Sequence, residues 1–294
     1  MKQKHLAILI TVFNRKAKTL QCLSDIYIQE RLEDFVTDIF VVDGGSTDGT
    51  PMAIREQFPK VHVSVSEGLF WAGGMRKAWE EAMAFAQDYD FFWLLNDDTH
   101  LYKHALREAM NAHSYAQKEY GKSGLYIGST ISPTLQTFSY GCRKLIKKGH
   151  SKCKKLPPNG EFQYGELANA NIMMVSREVY DRIGGFCTYC THGIADYDYS
   201  LRATNSGFPC LATPSYCGEC EDDHGHNWKS VNTPLAERLN YLHSPKGLAY
   251  KEYMQYIRTF FPKEVFIYHV KLWTKTLFPI LWDKFKGDRK KTQR

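Results

Sequence analysis

The chain has 294 residues, of which 43% are hydrophobic, 24% charged and 14% aromatic. Those proportions belong to a globular protein and exclude a collagen, a coiled coil or a wholly disordered chain. The 38 Lys and Arg against 32 Asp and Glu leave a formal charge of +6, which is too sparse for a dedicated nucleic-acid binder, so no nucleic-acid partner is expected.

The opening MKQKHLAILITVFNR has two lysines and a short apolar run. It meets Asn14-Arg15-Lys16 where a cleaved leader would carry small residues. No stretch of about 18 uncharged apolar residues occurs, so no spanning helix is expected. The expectation is a cytoplasmic protein whose eight cysteines are thiols or metal ligands rather than disulfides.

Leu6–Val12 reads as a buried strand and Lys16–Gln29 as a helix, with Leu20, Leu23 and Tyr27 at helical spacing. Asp38–Val42 is a second apolar strand closed by Asp43-Gly44-Gly45, and Thr50-Pro51 opens a helix to about Phe58. Val61–Val65 alternates, Ala72–Ala86 reads as a helix, and Phe91–Leu95 is an apolar strand ending in Asn96-Asp97-Asp98. Strands apolar on both faces and separated by helices imply an α/β fold, with a Rossmann-like, mostly parallel sheet flanked by helices. Ligands in such sheets bind beyond the carboxyl ends of the strands, where these polar clusters fall. Residues 141–160 carry seven Lys or Arg and two prolines and read as a mobile basic loop. Order resumes over Asn169–Val175, with helices over Arg177–Ile183 and Asp196–Asn205. From about Asn227 the chain turns helical, aromatic and basic. The expected division is a nucleotide-binding domain over 1–226 and a helical extension over 227–294.

Three clusters carry the chemistry. Asp97 and Asp98 at a strand mouth repel each other and call for a hard cation, Mg²⁺ or Mn²⁺, which would also hold a diphosphate. An Asp-rich turn would look the same. In Asp43-Gly44-Gly45-Ser46 the glycines admit a close ligand and Asp43 can accept from a ring N–H. Asp196 and Asp198 lie two apart, so they do not share a helix face; one can enter a cleft as a general base while the other packs or caps.

ILITVFNR at 8–15, VVDGGSTDGT at 41–50, WLLNDDT at 93–99, IGGF at 183–186 and ADYDYSLRA at 195–203 come in the order and spacing of family 2 glycosyltransferases, which the chain resembles over roughly residues 5–225. EGLFWAGGM at 67–75 is similar to the segment that closes over the donor in rhamnosyltransferase-like members. The resemblance implies the GT-A fold and an inverting, metal-dependent transfer from a UDP- or dTDP-linked sugar to a growing cell-surface glycan or lipid-linked acceptor. It implies donor contacts at Thr11, Asn14, Arg15, Asp43, Ser46, Trp71, Gly73, Gly74 and Asp97, with metal at Asp98. Asp196 would be the base, with Asp198 as its alternative because Ala195 stands where the family has Glu. One of His224 and His226 would add a metal ligand.

Two other features stand beside this. Cys187-Thr-Tyr-Cys190 and Cys217-Gly-Glu-Cys220 have the form of a structural Zn²⁺ site, although 26 residues separate them. Phe266, Val270, Trp273, Leu277 and Leu281 form a helical stripe among Lys263, Lys271, Lys275, Lys284 and Lys286. Residues 261–286 can therefore lie on a membrane surface, at the inner face of the plasma membrane, or pack on the domain or form an oligomer contact. Pro279 should kink or break this helix. The rival functions are a nucleotidyltransferase, whose glycine-rich phosphate loop is missing from Phe13–Lys16, and a non-catalytic zinc-stapled module.

Overall fold

The computed structural model describes residues 3–85, 88–222 and 230–281. The first third alternates as its patterning implies: β1 (Lys4–Val12), α1 (Lys16–Tyr27), β2 (Phe35–Asp43), α2 (Thr50–Gln57), β3 (His62–Val65), α3 (Trp71–Ala84) and β4 (Phe91–Asn96). There follow β5 (His100–Leu101), α4 (Ala105–Tyr120), β6 (Leu125–Ile131), β7 (Cys142–Leu145), β8 (Cys153–Lys155), β9 (Gln163–Tyr164), β10 (Leu167–Ala168) and β11 (Ile172–Ser176). The chain continues through α5 (Arg177–Ile183), α6 (Ala195–Asn205) and β12 (Cys210–Glu219), and then α7 (Leu235–His243), α8 (Tyr250–Phe260) and α9 (Val265–Leu277).

The main sheet has the order β3-β2-β1-β4-β11-β6-β12-β5, with β9 paired to β12. The pairs β3–β2, β2–β1 and β1–β4 are parallel. β11 runs antiparallel to both of its neighbours, β4 and β6. Burial splits by parity. Leu6, Ile8 and Ile10 face a layer containing α1, α2 and α4, while Ala7 and Leu9 face a layer containing α3, α5 and α6. A strand buried on both sides has no polar face to show, which is why β1 and β4 are unbroken apolar runs.

The carboxyl ends of β1, β2 and β4 lie side by side, with Thr11 paired to Asn96 and Val12 to Asp43. Two approaches bring the helices close. The Cα of Gly74 in α3 lies so near β1 that a Cβ there would meet Thr11 Oγ1 at 2.0 Å. Gly49, with φ of 80°, turns the chain into α2 in a conformation that glycine tolerates.

The mobile loop expected over 141–160 is instead structured. β7 and β8 form a hairpin, and β7 also pairs antiparallel with β10 in a second, three-stranded sheet. Cys142 and Leu156 anchor it in the core; lysine-rich composition had obscured an alternation that only this packing makes meaningful. α9 stops at Leu277, two residues before Pro279, as the proline requires. Among the described residues no helix is long and apolar enough to cross a membrane.

Replacing Gly74 by alanine should push α3 away from β1. A loss of about 1–3 kcal/mol in unfolding free energy is expected from overpacking, measured by urea titration; an unchanged midpoint would mean that α3 moves freely.

Candidate active site

A cleft of about 630 Å³ opens at the carboxyl ends of β1, β2 and β4. Its walls include Thr11, Phe13 and Arg15 from β1 and the loop after it, Gly44 after β2, Gly68 to Trp71 entering α3, and Asp97 after β4.

Asp43 is fully buried beneath this cleft. Its Oδ1 accepts the backbone N–H groups of Gly45 at 2.8 Å and Ser46 at 2.6 Å. Its Oδ2 is buried without a partner. A buried carboxylate oxygen left unmatched is costly, and a donor N–H on a ligand would satisfy it.

Asp97 and Asp98 are both largely shielded from solvent. Arg15 Nη1 bridges them, at 3.3 Å from Asp97 Oδ1 and 2.6 Å from Asp98 Oδ2. Thr19 Oγ1 donates to Asp97 Oδ2 at 3.2 Å. Burial pushes the Asp97 carboxyl up to about 7; the charge of Arg15 pulls it down, the neighbouring Asp98 pushes it up again, and the Thr19 hydroxyl opposes. Asn96, the last residue of β4, is not idle: its Oδ1 accepts Trp71 Nε1–H at 2.8 Å. That bond fixes the first residue of α3 across the cleft mouth.

The sequence-expected residues divide. Thr11, Arg15, Trp71 and Asp97 line the cleft, with Asp43 beneath and Asp98 beside them. Asn14 and Ser46 latch two loops together: Asn14 N–H donates to Ser46 Oγ at 2.7 Å, and Asn14 Oδ1 accepts Thr47 N–H at 2.8 Å. Gly73 and Gly74 are not among the residues that line the cleft. They serve close packing, Gly74 against Thr11 and Gly73 against Leu69. His224 and His226 lie outside the described residues.

Asp196 is the second residue of α6 and is half-buried. Its Oδ2 accepts Asn169 Nδ2–H at 3.1 Å and its Oδ1 accepts Tyr197 N–H at 2.8 Å. Burial raises its pKa above the ordinary carboxylate value, opposed by the Asn169 and Tyr197 bonds. Asn169 lies two residues before Asn171, whose carbonyl accepts the Asn96 N–H at 3.1 Å. Asp196 and the Asp97–Asp98 pair therefore flank the same end of β4 and β11. Asp198, the alternative base, is held by partners of its own. It is 2% exposed, one oxygen accepts Tyr189 O–H at 2.6 Å and the other Arg202 Nε–H at 2.7 Å.

The four-cysteine zinc site is also corrected. Cys187 and Cys190 have sulfurs 2.7 Å apart, but Cys190 and Cys217 are buried in the two different core layers, on opposite faces of the sheet. Cys220 instead lies against Asn171 and Asp98. Among the described residues no three His, Cys, Asp or Glu side chains converge to hold a metal.

Three residues missed in the sequence complete the cleft: His192, Ser244 and Lys246. His192 Nδ1 accepts Trp71 N–H at 3.4 Å, and its signal was its place four residues ahead of Asp196. Ser244 and Lys246 follow α7 and carried no signal, because nothing local says that this turn folds back over β1. Lys246 Nζ sits 5.6 Å from the centre of the Phe13 ring.

Arg15→Ala should leave two shielded carboxylates without their cation. A loss of about 1–2 kcal/mol is expected in metal-free buffer, partly restored by Mn²⁺ and read as a urea midpoint. An unaffected midpoint would show that the pair is compensated elsewhere.

No curated relative matches the chain. Among solved structures it is similar to a mannosyltransferase, PcManGT from Pyrobaculum calidifontis, in complex with GDP-Man and Mn²⁺. The TM-score is 0.51 at 16% identity, over 80% of this chain and 64% of that one. It is also similar to GalNAc-T7 with UDP, GalNAc and Mn²⁺, with a TM-score of 0.59 at 11% identity, over 87% of this chain and 48% of that one. The chain thus spans under two thirds of the length of either, and the likeness establishes the GT-A fold. The model of the family described as "Glycosyl transferase family 2" matches residues 7–156, half of the chain, and the chain belongs to that family.

Proposed function

We propose that the chain is a metal-dependent inverting glycosyltransferase. It moves a sugar, rhamnose included, from a UDP- or dTDP-linked donor to a hydroxyl of a growing cell-surface glycan or lipid-linked acceptor. The observation that carries this reading is the unmatched, buried Asp43 Oδ2 beneath a cleft that also holds Arg15 and Asp97. That is a base-recognising acceptor and a diphosphate-sized charge centre in one cavity. The two similar structures are complexes with Mn²⁺ and a nucleotide or nucleotide sugar, which supports the same class. A nucleotidyltransferase is disfavoured by the glycine-free turn Phe13–Lys16.

Asp43 would take the pyrimidine N–H and Asp97 the ribose. Asp98 would hold the divalent ion, with donor phosphate oxygens and water filling the coordination that the described side chains leave open. When bound, that ion stabilises the charge developing on the leaving diphosphate. Arg15 and Lys246 supply fixed positive charge at the same place. Asp196 takes the proton from the acceptor hydroxyl. The acceptor oxygen forms its bond to the anomeric carbon as the bond to the diphosphate breaks on the opposite side, which inverts configuration. Trp71, fixed by Asn96, closes the donor side and excludes water. The GT-A unit over 1–226 would do this chemistry in the cytoplasm, and the helices after it would place it on the inner face of the membrane through residues 261–286.

Four outcomes are expected. UDP or dTDP with Mn²⁺ should stabilise the protein, by about 2.7 kcal/mol at a ligand concentration about 100-fold above Kd; indifference to every nucleoside diphosphate in a melting assay would sink the reading. Asp196→Asn should keep that binding while turnover falls about 10²–10⁴-fold. Because burial raises the Asp196 pKa, the folded enzyme holds this proton more tightly than an ordinary carboxylate does. The base form is then lost earlier as pH falls, and the acid limb of kcat should lie above the usual carboxylate range, as a pH–rate profile will show. Lys246→Ala should weaken binding of the diphosphate more than that of the bare nucleoside, compared by calorimetry.

A further inference from the structure

The β7–β8 hairpin and α9 carry charge and apolar surface that the transfer chemistry does not use. Residues 141–158 hold seven Lys or Arg and no acidic residue. Lys147, Lys148 and Lys152 in the hairpin turn are exposed, as is Ile146 at 57%. Beside them, α9 leaves Phe266 at 78% and Ile267 at 61% exposed, and a shallow groove runs on from these to Phe278. Monomeric soluble proteins rarely expose contiguous apolar ridges of this kind without a partner.

The two elements are pinned together. Glu264, just before α9, accepts His150 Nδ1–H and Ser151 N–H, both at 2.9 Å, and Ser151 Oγ lies 2.6 Å from Tyr268 Oη. Glu264 is the one acidic residue between positions 262 and 281, so the contact that seats the hairpin also withdraws the only carboxylate of that stretch from the face.

We propose that the β7–β8 turn and α9 form one docking face for an anionic lipid bilayer, with the α9 aromatics entering the interface and the hairpin lysines lying on the headgroups. This rests on α9 as the membrane-facing helix and adds the hairpin as its electrostatic half. The complementarity selects the occupant: an apolar ridge rimmed by lysines matches acyl chains beneath anionic headgroups. A second copy would set the same lysines against one another, like charge facing like charge.

The test is co-sedimentation of the full chain with vesicles of phosphatidylcholine alone, and of equal parts phosphatidylcholine and phosphatidylglycerol. Binding to the second and not the first is expected. Lys147→Glu, Lys148→Glu and Lys152→Glu together should lower the partition coefficient at least about 100-fold. All three sites are exposed, so the melting midpoint should hold. Phe266→Ser with Ile267→Ser should also release the protein. If only the α9 variant loses binding, the hairpin assignment is overturned while the α9 contact stands. If the unaltered chain binds neither vesicle, or sediments as a dimer that covers α9, both are overturned.

Discussion

Two neighbouring carboxylates at the end of a buried strand are the constraint on which the rest of this molecule turns. Asp97 and Asp98 leave the apolar β4 where water is scarce, and their repulsion must be offset from somewhere else in the chain. Arg15 does this from the loop after β1, and Thr19, one turn into α1, adds a hydrogen bond. The same contacts tie β1, α1 and β4 together at the one end of the sheet where a ligand can approach. Arg15 is itself partly exposed and lines the cleft, so this ion-paired centre can be reached by a ligand. Asp43 repeats the arrangement at the neighbouring strand: one oxygen is satisfied by two backbone N–H groups and the other is held in reserve.

The segment bearing Asp196 is held from two sides. Arg76 in α3 donates from Nη1 to the carbonyls of Cys187 and Cys190, both at 2.8 Å. Glu252 in α8 accepts Thr191 N–H at 2.9 Å and Thr191 Oγ1–H at 2.7 Å. Between these anchors the loop carries His192 to the cleft and ends at Ile194, whose φ of 64° is an unfavourable conformation for a β-branched residue and is imposed by its surroundings. The C-terminal helices therefore do more than append to the sheet domain. They brace the loop before the proposed base, cover the cleft with Ser244 and Lys246, and present α9 outward.

Much of this was legible in the sequence, for identifiable reasons. The strands β1, β2 and β4 are short apolar runs, and a strand covered on both faces can be little else, so the parallel half of the sheet followed from hydrophobicity alone. The clusters at Asp43 and Asp97–Asp98 were visible because chemistry at a strand end needs particular side chains in a fixed order along the chain. β11 was readable as ordered, but not as a strand running against its neighbours, since direction depends on which strand it meets. The β7–β8 hairpin was unreadable because its lysines hide a pattern that only Cys142 and Leu156, once packed, reveal.

What the sequence by itself determined was the α/β class and the places of the polar clusters that close the apolar strands, at Asp43 and at Asp97–Asp98, both local properties of composition and spacing. Tertiary structure decided the rest. It seated Asp198 against Arg202 and Tyr189 and Asp196 against Asn169. It dissolved the zinc arrangement by burying Cys190 and Cys217 on opposite sides of one sheet. It brought Lys246 over Phe13 from more than two hundred residues away along the chain. Such outcomes depend on which surfaces meet, and a linear order of residues does not contain that until the core has closed.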